Sequence, residues 1–307
     1  MSRRAVGGSI AEMRIVISGA SGLIGSQLRA ALVARGNEVV PLGRDTGWDA
    51  AARAAPAELL AGADAVVHLA GENIAQRWSA AAKERIRESR RAGTANLVAG
   101  IAAADPRPRV LLSANAVGYY GNRGDERLTE ASSPGSDWLA GVCVAWEEEA
   151  LRAQGHGVRV CVLRTGVVLD RNGGALAKML PAFQAGIGGP VAGGRQFMSW
   201  IHLEDLVSLY VAAIDDERYG GTINAVAPRA VRNADFSHAL GHALHRPSFA
   251  PVPGIALRAL YGEMASIVTD GQNVEPQRAA ELGFTYAHPE LDEALADALS
   301  RQADAAR

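Results

Sequence analysis

Three glycines recur every third residue in Ser18-Gly19-Ala20-Ser21-Gly22-Leu23-Ile24-Gly25, directly after the apolar run Arg14-Ile15-Val16-Ile17. A strand, a glycine turn and a helix in that order can cradle the pyrophosphate of a dinucleotide. Gly19 permits the tight turn, Gly22 lets backbone approach the phosphates, and Gly25 lets the new helix pack closely. The helix N-terminus adds unpaired N–H groups and the positive end of its dipole. Gly19, Ser21, Gly22, Leu23, Ile24 and Gly25 are therefore the expected cofactor contacts. The spacing departs from the commoner Gly-x-Gly-x-x-Gly, and a glycine-rich turn without a ligand is the alternative it leaves open. A second chemical signal follows in Leu42-Gly43-Arg44-Asp45. An acidic residue ending the second strand would hold ribose hydroxyls and favour NAD(H), whereas an arginine can bracket a 2′-phosphate. Arg44 comes first, so NADP(H) is the expected cofactor and NAD(H) the alternative.

The elements that position these residues alternate in character. Strands are expected at 14–17, 38–42, 65–69, 109–113, 158–163 and 222–225, separated by helical patterns. Among these, 79–103 has Ser79 as its N-cap, and others cover 137–153, 175–183 and 203–214. That rhythm predicts an α/β fold, a Rossmann-type doubly wound parallel sheet with a smaller, mostly helical substrate lobe. The cofactor domain would span residues 13–170, with 203–226 returning to it. Residues 171–202 and 227–307 would form the substrate lobe, and 1–12 a loose tail. The glycine-rich stretch 172–198 is expected to lie over the site as a long loop. Ligands of such sheets bind beyond the carboxyl ends of the strands. This adds Leu69, Ala70, Gly71 and Arg164 to the expected cofactor contacts.

Bulk properties narrow the partners. A net charge of −2 over 307 residues, with both signs interspersed, suggests neither a nucleic-acid nor a membrane surface. No apolar run approaches spanning length. The two cysteines, Cys143 and Cys161, have neither metal-ligand spacing nor a disulfide framework, which fits a reducing cytoplasm and no metal site.

The order of segments resembles the extended short-chain dehydrogenase/reductases, and within them the atypical epimerase-like branch with its own C-terminal domain. The resemblance runs through His68-Leu69-Ala70-Gly71-Glu72-Asn73-Ile74, Arg77-Trp78 and Ala116-Val117-Gly118-Tyr119-Tyr120-Gly121. It continues through Asp137-Trp138-Leu139-Ala140, Arg164-Thr165-Gly166-Val167, Ser199-Trp200-Ile201-His202 and Leu260-Tyr261-Gly262-Glu263-Met264, covering nearly everything from Met13 onward. It implies dinucleotide-dependent redox chemistry on a small substrate, and homodimers paired through the helices that start at Ser79 and Asp137; a monomer is the alternative.

Relatives of this kind normally use a tyrosine four residues before a lysine, the ammonium lowering the phenol's pKa for proton exchange. The chain has only two lysines, Lys83 and Lys178, preceded at that spacing by Ser79 and Gly174, so the pair is absent. Substitute catalytic candidates are Tyr120, Asn115 and Glu72; for Tyr120 the alternative is a packing aromatic, for Glu72 a loop carboxylate. Cys143 could act as a thiol acid or be a buried inert cysteine. Lys178, Arg195, Gln196 and Trp200 are expected to hold substrate. Three readings follow: an NADP(H)-linked enzyme of unidentified small substrate, a non-catalytic dinucleotide-binding regulator or redox sensor, and a conventional sugar-nucleotide epimerase.

Overall fold

The computed structural model describes residues 12–300, so the expected tail lies outside them apart from Glu12. Six strands form one sheet: β1 (Arg14–Ser18), β2 (Glu38–Leu42), β3 (Ala65–His68), β4 (Val110–Ala116), β5 (Arg159–Thr165) and β6 (Gly221–Ala225). Their order is β6-β5-β4-β3-β1-β2 and all neighbours are parallel. Continuous apolar runs rather than alternating ones make these strands, because helices cover both faces. Ile15, Val16, Ile17, Val66, Val67, Leu111 and Leu112 are accordingly all inaccessible.

One face packs under α1 (Leu23–Ala34) and α5 (Leu203–Asp215), burying Leu28, Leu32, Leu206 and Tyr210. The other carries α2 (Ala80–Ala103) and α3 (Trp138–Leu151), with Leu97, Ile101 and Ala150 turned inward. Ser79 caps α2 by accepting from the Ala82 N–H, and Asp137 caps α3 by accepting from the Ala140 N–H. Chain direction across the sheet reverses between β1 and β3, which makes that crevice the ligand-binding edge. β4 runs to Ala116, beyond the expected end at Ser113, because it pairs with β5 along its whole length. No described helix is long and apolar enough to cross a membrane.

Four further helices, α4 (Gly174–Gln184), α6 (Asn233–Ala243), α7 (Gly254–Tyr261) and α8 (Leu291–Ser300), build a smaller lobe. Leu176, Phe183, Trp200, Phe236, Leu240 and Leu295 form its core. Short pairings tie it down: 127–128 with 273–274, and 167–169 with 200–202. The glycine-rich stretch begins against the cradle, where a Cβ on Gly173 would sit 2.9 Å from the Leu23 side chain, and its Lys178 reaches the Ala75 carbonyl. Its later loop runs against 247–253, with Gly189 so close that a Cβ would sit 2.2 Å from the Ala250 carbonyl oxygen. Val191 bridges to Val252 there.

His202, Glu204, His288 and Asp297 gather their donor atoms within 4.8 Å. His202 caps α5 by accepting the Glu204 N–H at Nδ1, 3.3 Å away. Its Nε2 lies 3.2 Å from an Asp297 carboxylate oxygen, so the cluster clasps α5 to α8.

Candidate functional site

The glycine turn is built as a cradle. Gly19 has φ +75°, and a Cβ on it would press to 2.9 Å from the backbone of Leu69 and Ala70, so the turn and the loop after β3 lie against each other. Gly25 is buried against the turn itself, where a Cβ would stand 2.2 Å from the Gly19 carbonyl oxygen. Gly22, the N-cap of α1, has no side-chain cap and the first turn no acidic residue. The first N–H groups of α1 thus have no partner within the helix and lie behind the exposed Ser21 and Gly22. This backbone arrangement fits a pyrophosphate: the donors are uncompensated, and a side chain is excluded where phosphate oxygens would come.

At the end of β2, Arg44 and Asp45 both stand exposed on a single turn. Thr46 pins that turn, its hydroxyl accepting from the Gly43 N–H and donating to the Gly43 carbonyl, both at 2.9 Å. Among the described residues nothing pairs with the Arg44 guanidinium. Beside the loop after β3, Arg90 lies under Gly71 and stacks 5.0 Å from the Trp146 ring. Its hydrogen bonds go to the carbonyls of Glu72 and Ile86, and among the described residues it has no carboxylate partner. Burial lowers its pKa from the ordinary arginine value, with Cys143 and Glu72 acting the other way.

Two strand steps along the same edge, about 10 Å, a cavity of about 680 Å³ opens at the ends of β4 and β5. Ala116, Val117, Thr165 and Val167 form its floor, and Trp78 and Trp138 one wall. Arg258, Glu263, Ile267 and Asp270 of the smaller lobe line its other side. The smaller-lobe residues that line the cavity therefore fall at 258–272.

The catalytic candidates do not face this cavity. Tyr120 is inaccessible; its hydroxyl donates to Asn224 Oδ1 at 2.6 Å and accepts from Arg164 Nη1 at 2.9 Å. Burial pushes the phenol up to about 12, against the pull of Arg164. Asn115 spends its amide on the Cys143 carbonyl and on Glu147, both at 3.1 Å, and pleating turns the side chain of Ala116 to the cavity instead. Arg164, expected at the cofactor, is buried in a bidentate pair with Glu147 at 2.9 and 2.7 Å and stacks 3.4 Å from the Tyr119 ring. Burial alone would lower its pKa, but the Glu147 carboxylate holds it charged, above the usual arginine value. These four residues form a polar knot under β4 to β6. The Glu72 carboxylate accepts from Gln76 at 3.1 Å and lies 3.6 Å from Arg85, away from the cavity. Cys143 is buried and its thiol is pushed up to about 12, chiefly by burial, which leaves it inert.

The expected substrate residues are also placed elsewhere. Trp200 is core, 1% exposed. Gln196 braces loops by donating to the carbonyls of Val191 and Val268. Arg195 is exposed, and Lys178 reaches only the Ala75 carbonyl at 3.4 Å. Asp137, Trp78, Trp138, Arg258, Glu263 and Asp270, which do line the cavity, were given no role in the sequence reading. Several sit in the same short stretches that carried the family resemblance, and that was the available signal.

Fold and site together define a doubly wound α/β protein with a nucleotide cradle at its switch point. The chain belongs to the NAD dependent epimerase/dehydratase family, whose model matches residues 15–225. Residues 252–298 match a further domain of unknown function, DUF1731. A relative from Arabidopsis thaliana, epimerase family protein SDR39U1 homolog, chloroplastic, is 42% identical over 92% of this chain and 86% of its own length. Human epimerase family protein SDR39U1 is 37% identical over 92% of this chain and 98% of its own length. The crystal structure of that human protein, isoform 2, with NADPH superposes with a TM-score of 0.87 at 34% identity, covering 94% of this chain and all of the other.

Proposed function

We propose that this chain binds NADP(H) in the glycine cradle and carries out hydride-linked chemistry on a small substrate held in the cavity at the ends of β4 and β5. One observation carries the reading: an uncapped helix N-terminus and a glycine-built turn open along the same sheet edge as a cavity. The NADPH seen with the human relative supports it. When bound, the cofactor supplies the hydride donor or acceptor; the chain positions it and excludes water. Backbone N–H groups at 23–25 would hold the phosphates, and Arg44 would meet the 2′-phosphate. The tryptophan wall and the smaller lobe keep the reacting carbon dry. Proton exchange falls to Asp137 or Thr165, polar groups on the cavity wall.

The test is calorimetric titration with NADPH, NADP⁺, NADH and NAD⁺. Tight binding of the phosphorylated pair is the expected result, and absence of binding by all four would overturn the reading. A second reading, a dinucleotide-dependent regulator without turnover, is favoured by the lack of any tyrosine or lysine lining the cavity. It requires a partner whose affinity differs between NADP⁺ and NADPH, and equal capture in both would exclude it.

A further inference from the structure

The cavity wall carries a charge and ring pattern that narrows its substrate. This inference rests on the cofactor reading above and asks what the same site takes alongside the cofactor. A nucleoside diphosphate sugar brings two negative charges, and a site that takes one needs guanidinium or ammonium groups turned inward. Here Asp137, Glu263 and Asp270 line the wall with a single guanidinium, Arg258. Lys83 pairs with Glu263 and the two cancel, which leaves Asp137 and Asp270 against Arg258, Asp137 and Arg258 both exposed. With a phosphorylated cofactor in the cradle, a second polyanion would meet carboxylates on one side and phosphates on the other, with one exposed guanidinium to offset them.

The apolar part of the wall points the same way. Trp78 and Trp138 stand with ring centroids 4.7 Å apart and planes tilted by 60°. The indole N–H of Trp78 is spent on the Ile74 carbonyl at 3.0 Å, so what this residue offers the cavity is carbon surface. Lys83 Nζ lies 5.2 Å from the centroid of the Trp138 ring, so that ring already accepts a cation. Val117, Leu139 and Ile267 complete an apolar surround. Two indoles set as a corner hold planar rings by stacking and edge contact, and the carboxylate rim tolerates or attracts positive charge.

We propose that the substrate is a flat ring compound, neutral or singly cationic, seated against Trp138 and Trp78, and that nucleoside diphosphate sugars are excluded from this cavity. Calorimetry on the full-length protein, first titrated with NADPH and then saturated with it, tests this with four probes. These are 2-naphthol (flat, neutral), N-methylquinolinium (flat, cationic), naphthalene-2-sulfonate (flat, anionic) and UDP-glucose. The first two should bind and the sulfonate at least tenfold more weakly, with no UDP-glucose binding to millimolar concentration. Trp138→Ala should weaken both binders at least tenfold and Trp138→Phe much less. Asp270→Asn should weaken only the cation. UDP-glucose binding as tightly as the flat probes would overturn the proposal. So would naphthol and quinolinium binding unchanged in Trp138→Ala, checked to be folded by its NADPH affinity. Failure of NADPH to bind would instead overturn the cofactor reading. Probe binding with NADPH bound separates the two.

Discussion

The cradle and the cavity lie along one sheet edge yet are made in opposite ways. The cradle is backbone: one turn of consecutive residues whose side chains are absent or turned away, so its function resides in uncapped N–H groups. The cavity is side chain: its wall comes from the segment after β3, the ends of β4 and β5, the start of α3 and the smaller lobe. Beside the cavity lies the polar knot of Arg164, Glu147, Asn115 and Tyr120, buried and hydrogen-bonded within itself and to Cys143, Thr222 and Asn224. Polar residues at a strand's carboxyl end are therefore no guide to chemistry until their partners are known. Pleating sends one residue to the crevice and the next into the knot.

The sharpest way to break that contrast is to treat the knot as catalytic. Arg164→Met should leave the Glu147 carboxylate buried without its partner and cost about 3–5 kcal/mol of stability, read by urea denaturation. A stable variant with lost turnover would reinstate Arg164 as a site residue. Next in size is an acid effect beneath the cradle, where His68 bonds Ser18 at 2.6 Å and Thr94 at 3.1 Å. Burial, aided by Arg90, pulls its imidazole down from 6.5 to about 4. The unfolded chain binds a proton as pH drops through about 6.5, and the folded chain only near 4. Stability present above that window is thus lost across it, about 3 kcal/mol from this group. His68→Gln should remove that part of the slope.

Within the cradle, Gly25→Ala should cost about 1–3 kcal/mol through overpacking against backbone. Gly22→Ala, whose Cβ would meet only the Gly19 oxygen at 3.4 Å, should fold normally and weaken NADPH binding. Equal thermal shifts for the two would show that Gly25 is not a packing glycine. Tyr120→Phe, which removes two buried hydrogen bonds, should cost about 1–3 kcal/mol and leave cofactor binding intact. The smallest effect is at the surface. Arg44→Ala should lower NADPH affinity roughly tenfold with no change in melting temperature and no effect on NADH.

The strands, the capped helices at Ser79 and Asp137, the glycine turn and the missing tyrosine–lysine pair could all be read in the sequence. Each is a local matter: apolar runs, N-cap chemistry and glycine spacing act over a few consecutive residues. What it could not show was which way Asn115 and Arg164 face, that the glycine-rich stretch runs from Leu23 to the 247–253 segment, or that Trp78, Trp138 and Asp270 meet across a cavity. Those outcomes depend on pairing between β4 and β5, on the close approach of Gly189 to Ala250, and on how the smaller lobe docks. Such contacts join residues far apart in the chain, and only packing in three dimensions selects among them. The cofactor cradle was therefore determined by the sequence itself. Which residues line the cavity was decided by the tertiary structure.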